Sequence, residues 1–364
     1  MKKNLLYLLN QKLDERNLER LGINFFLKKN CQILILNNKD NLKIKNKNIH
    51  FLDYKNLIKT FRHLKSKSKK IEYYLNFSGN SFKEKLIQIY CKKLNIKNIE
   101  FELGNIPVPS KINRQIILSH FFSKDIIKTI SLIKFSFKNF LLSFMNVNAN
   151  IKFISGSSIP KENTLNIYNH NFDYDLFLKE KKNKYKKKKY ILFIDQNFED
   201  SFDLKENKYI FQYNKTKYWS PLIKFFKRIN DDFGYDVKIL SHPRRKNRKY
   251  SKIKFLRNRS FELVSSSSAV FAHDSTAIQI PILLNKPIIF VTSNYINKDI
   301  YRKNSIKLFS KELGAKLINV DIDKISKLKF SFNKKLYKNY INKFVKHKKS
   351  KKIITWKKLY KLIS

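Results

Sequence analysis

The sequence of 364 residues contains little cysteine, glycine or proline, with 2, 6 and 7 residues respectively. Cys31 and Cys91 lie far apart, which predicts neither a disulfide framework nor a cysteine metal site and suits a reducing compartment. The motifs GxGxxG, GxxxxGK[ST], GxSxG, HExxH and CxxC are all absent. Their absence removes support for a glycine-rich dinucleotide site, a P-loop, a hydrolase nucleophile elbow and the common zinc motifs.

Acidic residues are also few, so the formal net charge is +50, and lysines outnumber arginines 67 to 11. A surface of this charge attracts nucleic acid, anionic lipid or phosphorylated substrates. However, Lys, Asn, Ile and Phe have A/T-rich codons, whereas Gly, Pro, Ala and most Arg codons are G/C-rich. Because a base-composition bias would produce much of the same charge, the charge alone selects no function.

Long apolar runs are missing. The first one, Leu5 to Leu9, is too short for the core of a signal peptide, so we expect an unexported, cytoplasmic protein. The longest, 126–145, is interrupted by Lys128, Lys134 and Lys138, and we expect no membrane span. Its apolar stripe has two interpretations: a helix packed on a sheet, or a basic amphipathic helix lying on an anionic membrane.

The first half alternates between strand-like and helical segments, which predicts βαβ units and a mainly parallel sheet. We expect an N-terminal Rossmann-like domain over 1–175, with a helical segment over 111–147. The predicted helices are 14–29 and 81–95, and the predicted strands are 31–38, 49–54, 71–77 and 99–103.

A lysine-rich stretch, 176–189, is predicted to be a linker, after which a second α/β series begins. We expect a second Rossmann-like domain over 190–333 and C-terminal helices over 334–364. The predicted fold is α/β, with two doubly wound domains facing a cleft and the last helices packing back across it. The strands of the second domain are predicted at 190–195, 235–243, 269–274, 287–293 and 315–321. Its helices are predicted at 219–234, with Ser220 as N-cap, and at 275–285 and 298–314.

Two of these strands end in unusual residues, and ligands of parallel sheets bind beyond the carboxyl ends of strands. The first segment follows the apolar run VKIL and is Ser241-His242-Pro243-Arg244-Arg245. A histidine can donate to a phosphate oxygen, and arginine binds phosphate bidentately. Five of the eleven arginines lie within 244–259. The alternative is a solvent-facing basic loop.

The second segment, at the end of AVFAHD, is His273-Asp274-Ser275-Thr276. Ser275 or Thr276 can cap the helix that follows, and their hydroxyls together with free backbone N–H groups form an anion site. The alternatives are plain helix capping, and a core histidine at position 273. We expect both segments to bind one phosphate, with Arg244 or Arg245 at the rim.

The sequence predicts no metal or other cofactor. A DxD pair can hold a metal–diphosphate. Two such pairs occur here, Asp173-Tyr174-Asp175 and Asp321-Ile322-Asp323, but pairs of this spacing are common by chance. Weak candidates for a catalytic base are His170, Asp173 and Asp175, and near the N-terminus Asp14 and Glu15.

The order strand–SHP–helix–strand–HxST–helix–KPIIF resembles the C-terminal domain of GT-B-fold glycosyltransferases, in particular bacterial capsule and lipopolysaccharide transferases of the CMP-sialic-acid and Kdo type. The wider chain is similar to surface-polysaccharide biosynthesis proteins through Glu15-Arg16, Leu21-Gly22-Ile23, ISGSS and HNFDYD. The resemblance implies that 1–175 is the acceptor domain and 190–333 the nucleotide-sugar donor domain. It also implies that His242 with Pro243, and Ser275 with Thr276, hold the nucleotide phosphate of the donor. The short acidic-glycine motif that carries the base in those families has no counterpart here.

The expected partners are thus a nucleotide-sugar donor and a glycan or lipid-linked acceptor, with peripheral contact to an anionic membrane. A CDP-polyol phosphotransferase of teichoic-acid synthesis is the alternative within the enzymes, because it shares His-Pro and Ser-rich elements. A basic nucleic-acid-binding protein is the alternative outside them. We expect no nucleic acid, because the aromatic residues mostly lie in apolar-periodic segments instead of alternating with cations.

Overall fold

The computed structural model describes residues 3–11, 13–38, 46–79, 81–102, 106–109, 137–200, 211–243, 245, 249–250, 253–257 and 259–364. These residues form two compact units. The first contains the described residues up to 102, those of 137–172, and 347–364. The second contains 106–109 and the described part of 173–346.

In the described part of the first unit, seven strands form one sheet in the order β3-β2-β1-β4-β5-β6-β7. All neighbours pair in parallel. The strands are β1 Asn4–Leu9, β2 Gln32–Asn37, β3 Ile49–Leu52, β4 Ile71–Phe77, β5 Lys97–Phe101, β6 Ile151–Ile154 and β7 Leu165–Tyr168.

The central strand β1 is not among the predicted elements, because its apolar run follows two lysines and was considered only as a possible leader. Its side chains alternate between two buried clusters: Leu5, Tyr7 and Leu9 lie in one, Leu6 and Leu8 in the other. Each cluster lies on its own face of the sheet. Both faces are therefore covered, as the prediction of a doubly wound domain requires.

Of the helices predicted in the first unit, the one expected over 81–95 is present, the one expected over 14–29 is interrupted at Gly22, and the helix at 57–67 is not among the predicted elements. Gly22 has a φ of +73°, and its Cα faces the Trp356 indole. The helices are α1 Glu15–Arg20, α2 Ile23–Lys28, α3 Leu57–Lys67, α4 Phe82–Lys93, a helical stretch α5 at 137–144, and the C-terminal helix, Thr355–Ile363.

The second sheet repeats this topology, with the order β10-β11-β9-β8-β12-β13-β14 in the described residues. Apart from the antiparallel β10–β11 pair, its strands are parallel. They are β8 Tyr190–Ile194, β9 Asp236–Leu240, β10 Lys249–Tyr250, β11 Ile253–Leu256, β12 Ala269–Ala272, β13 Ile288–Thr292 and β14 Leu317–Asn319. Two doubly wound sheets confirm the predicted fold class.

One predicted helix start is wrong. Asn214, not Ser220, caps the long helix of the second unit: its side chain accepts from the Lys217 N–H, and Pro221 lies inside the helix. The buried face of that helix, which includes Trp219 and Phe225, stabilises the six residues before the proline. The helices are α6 Phe172–Glu180, α7 Lys215–Phe233, α8 Ser260–Ser266, α9 Gln279–Leu283, α10 Ile300–Leu313 and α11 Lys334–Tyr340. The C-terminal helix, Thr355–Ile363, is α12.

The boundary between the units differs from the predicted linker over 176–189. The chain enters the second unit at residue 173, and α6 extends through the first residues of that segment to Glu180. The final helices also divide, because residues 334–346 belong to the second unit and only 347–364 to the first. In the first unit, Trp356 of α12 packs against Phe26, Phe101 and Phe172.

Candidate functional site

The order of the second sheet reverses between β8 and β12. From β8 the chain proceeds to β9 and β11 on one side, and then returns to β12 and β13 on the other side. In open α/β sheets, ligands bind outside the carboxyl ends of the strands at such a reversal. Asp195 follows β8, His273 follows β12, and the Ser241–Arg245 segment follows β9. Both predicted motifs therefore lie at one edge of the sheet, on either side of β8.

A buried ion-pair network occupies this edge. The Arg245 guanidinium donates from Nε and Nη2 to the two carboxylate oxygens of Asp195, at 2.6 and 2.9 Å, and from Nη1 to Glu199 Oε1 at 2.7 Å. Arg245 is 1% exposed. The prediction that it lies at the rim of a phosphate site is wrong, because its charge is already neutralised by two carboxylates in the interior.

Several contacts stabilise the charged form of Arg245. Burial opposes the charge, but hydrogen bonds and the negative charges of Asp195 and Glu199 outweigh burial, so the pKa of Arg245 is raised. The guanidinium also lies over the Phe255 ring, 4.5 Å from its centroid. Trp219 Nε1 donates to the same Glu199 oxygen at 2.6 Å. Arg245 thus has a structural role and does not bind anions from solvent.

The His242 turn is attached to the same network. The backbone N–H of His242 donates to Asp195 Oδ2 at 3.1 Å, and Arg245 N donates to the His242 carbonyl at 3.0 Å. His242 is half-buried, and Pro243 is exposed. Arg244 lies outside the described residues. Asp195 therefore fixes the backbone of the turn while the imidazole of His242 stays partly accessible.

His273 is a core histidine, the alternative interpretation of its segment. Its Nδ1 lies 2.6 Å from the Val291 carbonyl, which can only accept, so Nδ1 carries the proton. Nε2 then accepts from the Tyr218 hydroxyl at 3.1 Å. Burial lowers the pKa of His273 to about 4. A neutral, fully enclosed imidazole does not bind phosphate directly, so its assignment to the donor-phosphate site is wrong.

Ser275 caps the 3-10 turn Thr276–Ile278, because its Oγ accepts from the Ala277 N–H at 3.2 Å. Its hydroxyl hydrogen remains able to donate. Thr276 is exposed. The neighbouring Asp274 is bound by Arg302 Nη1 at 2.7 Å. Of the predicted phosphate ligands in the described residues, His242, Ser275 and Thr276 therefore remain accessible or able to donate.

Sequence reasoning missed the residues that organise this edge: Asp195, Glu199, Tyr218 and Trp219. One signal was available for Asp195, since it directly follows the apolar run YILFI in the way that His273 follows AVFA. Within the described residues, three buried polar atoms on the same loop have no hydrogen-bond partner: Gln196 Nε2, Asn197 Oδ1 and Glu199 Oε2. Asn197 has a φ of +54°. Buried polar atoms are normally hydrogen-bonded, and unpaired ones are usually completed by a water molecule, an ion or a ligand.

The candidate bases are distributed over both units. His170, in the first unit, is fully buried, with its Nδ1 3.3 Å from Ser350 Oγ. Asp173 and Asp175 begin α6 in the second unit. Asp14 caps α1, because its carboxylate accepts from the Asn17 N–H at 2.8 Å, and Glu15 lies in the first turn. None of these residues directly follows β8, β9 or β12 in the sequence.

Within the described ranges, no three His, Cys, Asp or Glu side chains are grouped so as to hold a metal ion. The second DxD pair binds backbone instead: Asp321 Oδ2 accepts from the Asn294 N–H at 2.6 Å, and Asp323 Oδ2 accepts from the Asn319 N–H at 2.7 Å.

No protein-family model and no curated protein matches the sequence. Among solved structures the chain is similar to Acinetobacter baumannii MurG, with 11% identity and a TM-score of 0.44 over 88% of this chain and 87% of that one. It is similar to Methanocaldococcus jannaschii UDP-GlcNAc 2-epimerase in complex with UDP-GlcNAc and UDP, with 15% identity and a TM-score of 0.45 over 93% and 98%. It is also similar to Phytolacca americana UGT2 complexed with UDP-2fluoro-glucose and pterostilbene, with 9% identity and a TM-score of 0.47 over 93% and 89%. Similarities at this level identify no family and assign no activity.

Proposed function

We propose that the chain is a glycosyltransferase that binds a nucleotide-activated sugar at the carboxyl edge of the second sheet. The observation that carries this proposal is the position of the His242 turn and of Ser275 on either side of β8, where the strand order reverses. This is the position at which doubly wound sheets bind nucleotides. The resemblance of the SHP and HxST segments to CMP-sugar transferases supports the same site.

The chemistry at such a site is displacement at an anomeric carbon: an acceptor hydroxyl forms the new C–O bond, a base takes the hydroxyl proton, and the nucleotide phosphate leaves. Donors directed at that phosphate stabilise the charge that develops on it. His242 and the hydroxyls of Ser275 and Thr276 supply such donors, so the proposed reaction needs no metal. Asp195 and Arg245 act indirectly, because they fix the backbone from which His242 projects.

The finer assignment is a CMP-linked donor and a surface-glycan or lipid-linked acceptor, with the enzyme acting in the cytoplasm. It rests on the resemblance to capsule and lipopolysaccharide transferases. A CDP-polyol phosphotransferase would use the same edge of the sheet, but its product would retain the phosphate. Mass analysis of the product distinguishes the two reactions.

We propose in addition that α5 contacts an anionic membrane. Phe137, Phe140, Leu141 and Phe144 are 50–72% exposed on this helix, and Lys138 lies among them. The rest of the predicted stripe over 111–147, up to residue 136, lies outside the described residues. No helix in the described ranges is both long and apolar enough to cross a bilayer. Exposed aromatic residues in a strongly basic chain suit a helix lying in the lipid interface.

A thermal-shift panel of CMP, CDP, UDP and GDP tests the donor site. A nucleotide present at 100 times its Kd stabilises the native state by about 2.7 kcal/mol. We expect at least one nucleotide to raise the Tm of the wild type, and His242→Ala to remove that increase. The matched control is His50→Ala, at an exposed histidine of β3 in the first unit, which should keep it. If no nucleotide shifts the Tm, or if His242→Ala shifts as the wild type does, the donor site is wrongly assigned.

A further inference from the structure

A separate cavity lies within the first unit, at the carboxyl ends of β4 and β5. Its volume is about 350 Å³, within the range of roughly 300–1,000 Å³ that holds small molecules. Small-molecule sites are usually lined by apolar side chains, but here eight of the eleven lining residues are polar or charged. A lining of this kind suits a ligand rich in hydroxyl groups.

Lys85 gives the cavity its charge. Although Lys85 is only 7% exposed, no carboxylate in the described residues lies within ion-pair distance of its ammonium group. Its hydrogen-bond acceptor is the neutral side-chain oxygen of Asn146, at 2.5 Å. A charged group on a largely buried side chain is costly when none of the described residues supplies a counter-charge, and an anionic ligand in the cavity would compensate it. Lys161 also lines the cavity, and its ammonium donates to the neutral Asn148 Oδ1 at 3.3 Å.

The cavity also contains a carboxylate and several neutral hydrogen-bonding groups. Glu100 lines the cavity, and Asn98 Nδ2 donates to its Oε1 at 3.1 Å. Gln88, which is buried, donates to Ser78 Oγ at 2.8 Å, and Ser78 donates in turn to Asn76 Oδ1 at 2.6 Å. These groups offer acceptors and donors at fixed positions for the hydroxyls of a ligand, while Phe101 offers one aromatic surface.

We propose that this cavity binds a small hydroxylated organic anion, such as a sugar that carries a carboxylate or a phosphate. The anionic group lies at Lys85 and Lys161, and the hydroxyls lie toward Glu100 and the Asn76–Gln88 chain. The site is built entirely from the first unit. It stands whether or not the second unit binds a nucleotide.

The test is isothermal titration of the full chain with glucuronate, glucose 6-phosphate, glucose and inorganic phosphate. We expect one or both of the acidic sugars to bind at least about tenfold more tightly than either glucose or phosphate alone, since a charge-assisted hydrogen bond contributes about that much. The two acidic sugars distinguish a carboxylate from a phosphate as the anionic group.

Lys85→Met keeps the aliphatic stem and removes the charge, and should weaken binding of the acidic sugar about tenfold or more. Lys161→Met, at an exposed position, gives the same test without risk to the core. The matched control is Lys93→Met, at an exposed lysine of α4 outside the cavity. His242→Ala should bind the acidic sugar as the wild type does, which separates this site from the proposed donor site. The proposal is overturned if neither acidic sugar binds, if glucose or phosphate binds as tightly, or if Lys161→Met has no effect.

Discussion

Arg245 and Asp195 form a bidentate ion pair in which neither side chain has any exposed surface. Asp195 directly follows β8 and Arg245 follows β9, so the pair joins the carboxyl ends of two neighbouring strands. Asp195 Oδ2, which accepts from Arg245 Nε, also accepts from the backbone N–H of His242. Arg245 therefore acts indirectly, by fixing the turn that presents His242.

Replacing Arg245 by methionine should leave Asp195 and Glu199 buried without a counter-charge. Removing one partner of a buried ion pair typically costs about 3–5 kcal/mol. We expect the free energy of unfolding of the second unit, measured in urea, to fall by this amount. Trp219 fluorescence measures it in a Trp356→Phe background, where Trp219 is the single remaining tryptophan.

Arg259 provides the control for this prediction. It pairs with Glu262 across one helical turn, but its side chain is 71% exposed. Exposed pairs contribute at most about 1 kcal/mol, so Arg259→Met should change the free energy of unfolding little. Equal losses for the two variants would show that the Arg245 network is not a stabilising element.

His273 should make the second unit sensitive to mild acid. Its pKa is about 4 in the folded state, below the ordinary value of 6.5. As the pH falls below 6.5, the unfolded state binds a proton that the folded state refuses. The free energy of unfolding therefore has its full value above pH 6.5 and declines between pH 6.5 and about 4, by up to about 1.4 kcal/mol per pH unit.

The measurement compares urea unfolding of the wild type and of His273→Gln at pH 7.5 and pH 5. The variant has no group to titrate at this position, so its free energy of unfolding should fall less between the two pH values. Parallel losses in the two proteins would contradict the shifted pKa of His273.

The fold class followed from patterns that are local in the sequence. Strand β4 was predicted at its observed bounds, and the buried strands β8 and β12 were found within one or two residues, because apolar runs bounded by polar residues mark such strands. Strand β1 was missed because six residues behind two lysines give no periodicity that separates a strand from a leader. The split at Gly22 depends on Trp356, more than 300 residues later, and no local pattern contains that contact.

The candidate site was predictable in position but only partly in its side chains. The strand ends placed His242 and Ser275 on one edge of a sheet. The sequence around Arg245 gave no sign that its charge is neutralised, because its partners Asp195 and Glu199 lie about fifty residues earlier in the chain. Likewise, whether His273 faces solvent or the core is decided by Tyr218 and Val291, which come from a helix and another strand.

Gly22→Ala should destabilise the first unit far more than Gly234→Ala destabilises the second. Both glycines have positive φ, +73° and +64°, so an added methyl group costs about 1–2 kcal/mol in either place. At Gly22 that methyl would also lie 2.3 Å from the Trp356 ring, whereas at Gly234 it meets only the flexible end of Lys189 at 3.2 Å. Overpacking adds about 1–3 kcal/mol at Gly22.

Hydrogen exchange resolves the effect of these glycine variants in each unit, with β1 reporting Gly22→Ala and β9 reporting Gly234→Ala. The difference should vanish if Trp356 is first replaced by alanine, because the ring that the methyl meets is then gone. If the difference between the two glycine variants persists without Trp356, it comes from the backbone conformation and not from contact with the ring.

The proposed membrane contact predicts flotation with vesicles of mixed phosphatidylcholine and phosphatidylserine at physiological salt. Phe140→Asp with Phe144→Asp should abolish it, because both rings are exposed and a carboxylate is repelled by an anionic surface. Phe82→Asp, at an exposed aromatic residue of α4, is the matched control. Equal recovery with neutral vesicles, or no recovery with either, would count against the contact.

The roles of Ser275 and Thr276 in the proposed donor site can be separated from each other. Ser275 both caps the 3-10 turn and can donate its hydroxyl hydrogen to a phosphate, so Ser275→Ala should cost about 1 kcal/mol of stability and also weaken nucleotide binding. Thr276 is exposed, so Thr276→Ala should leave the free energy of unfolding unchanged. If its hydroxyl contacts the leaving phosphate, transfer should slow by about 10²- to 10³-fold. Thr276→Ser retains the hydroxyl and should keep most of the rate, whereas equal rates for the alanine and serine variants would remove Thr276 from the site.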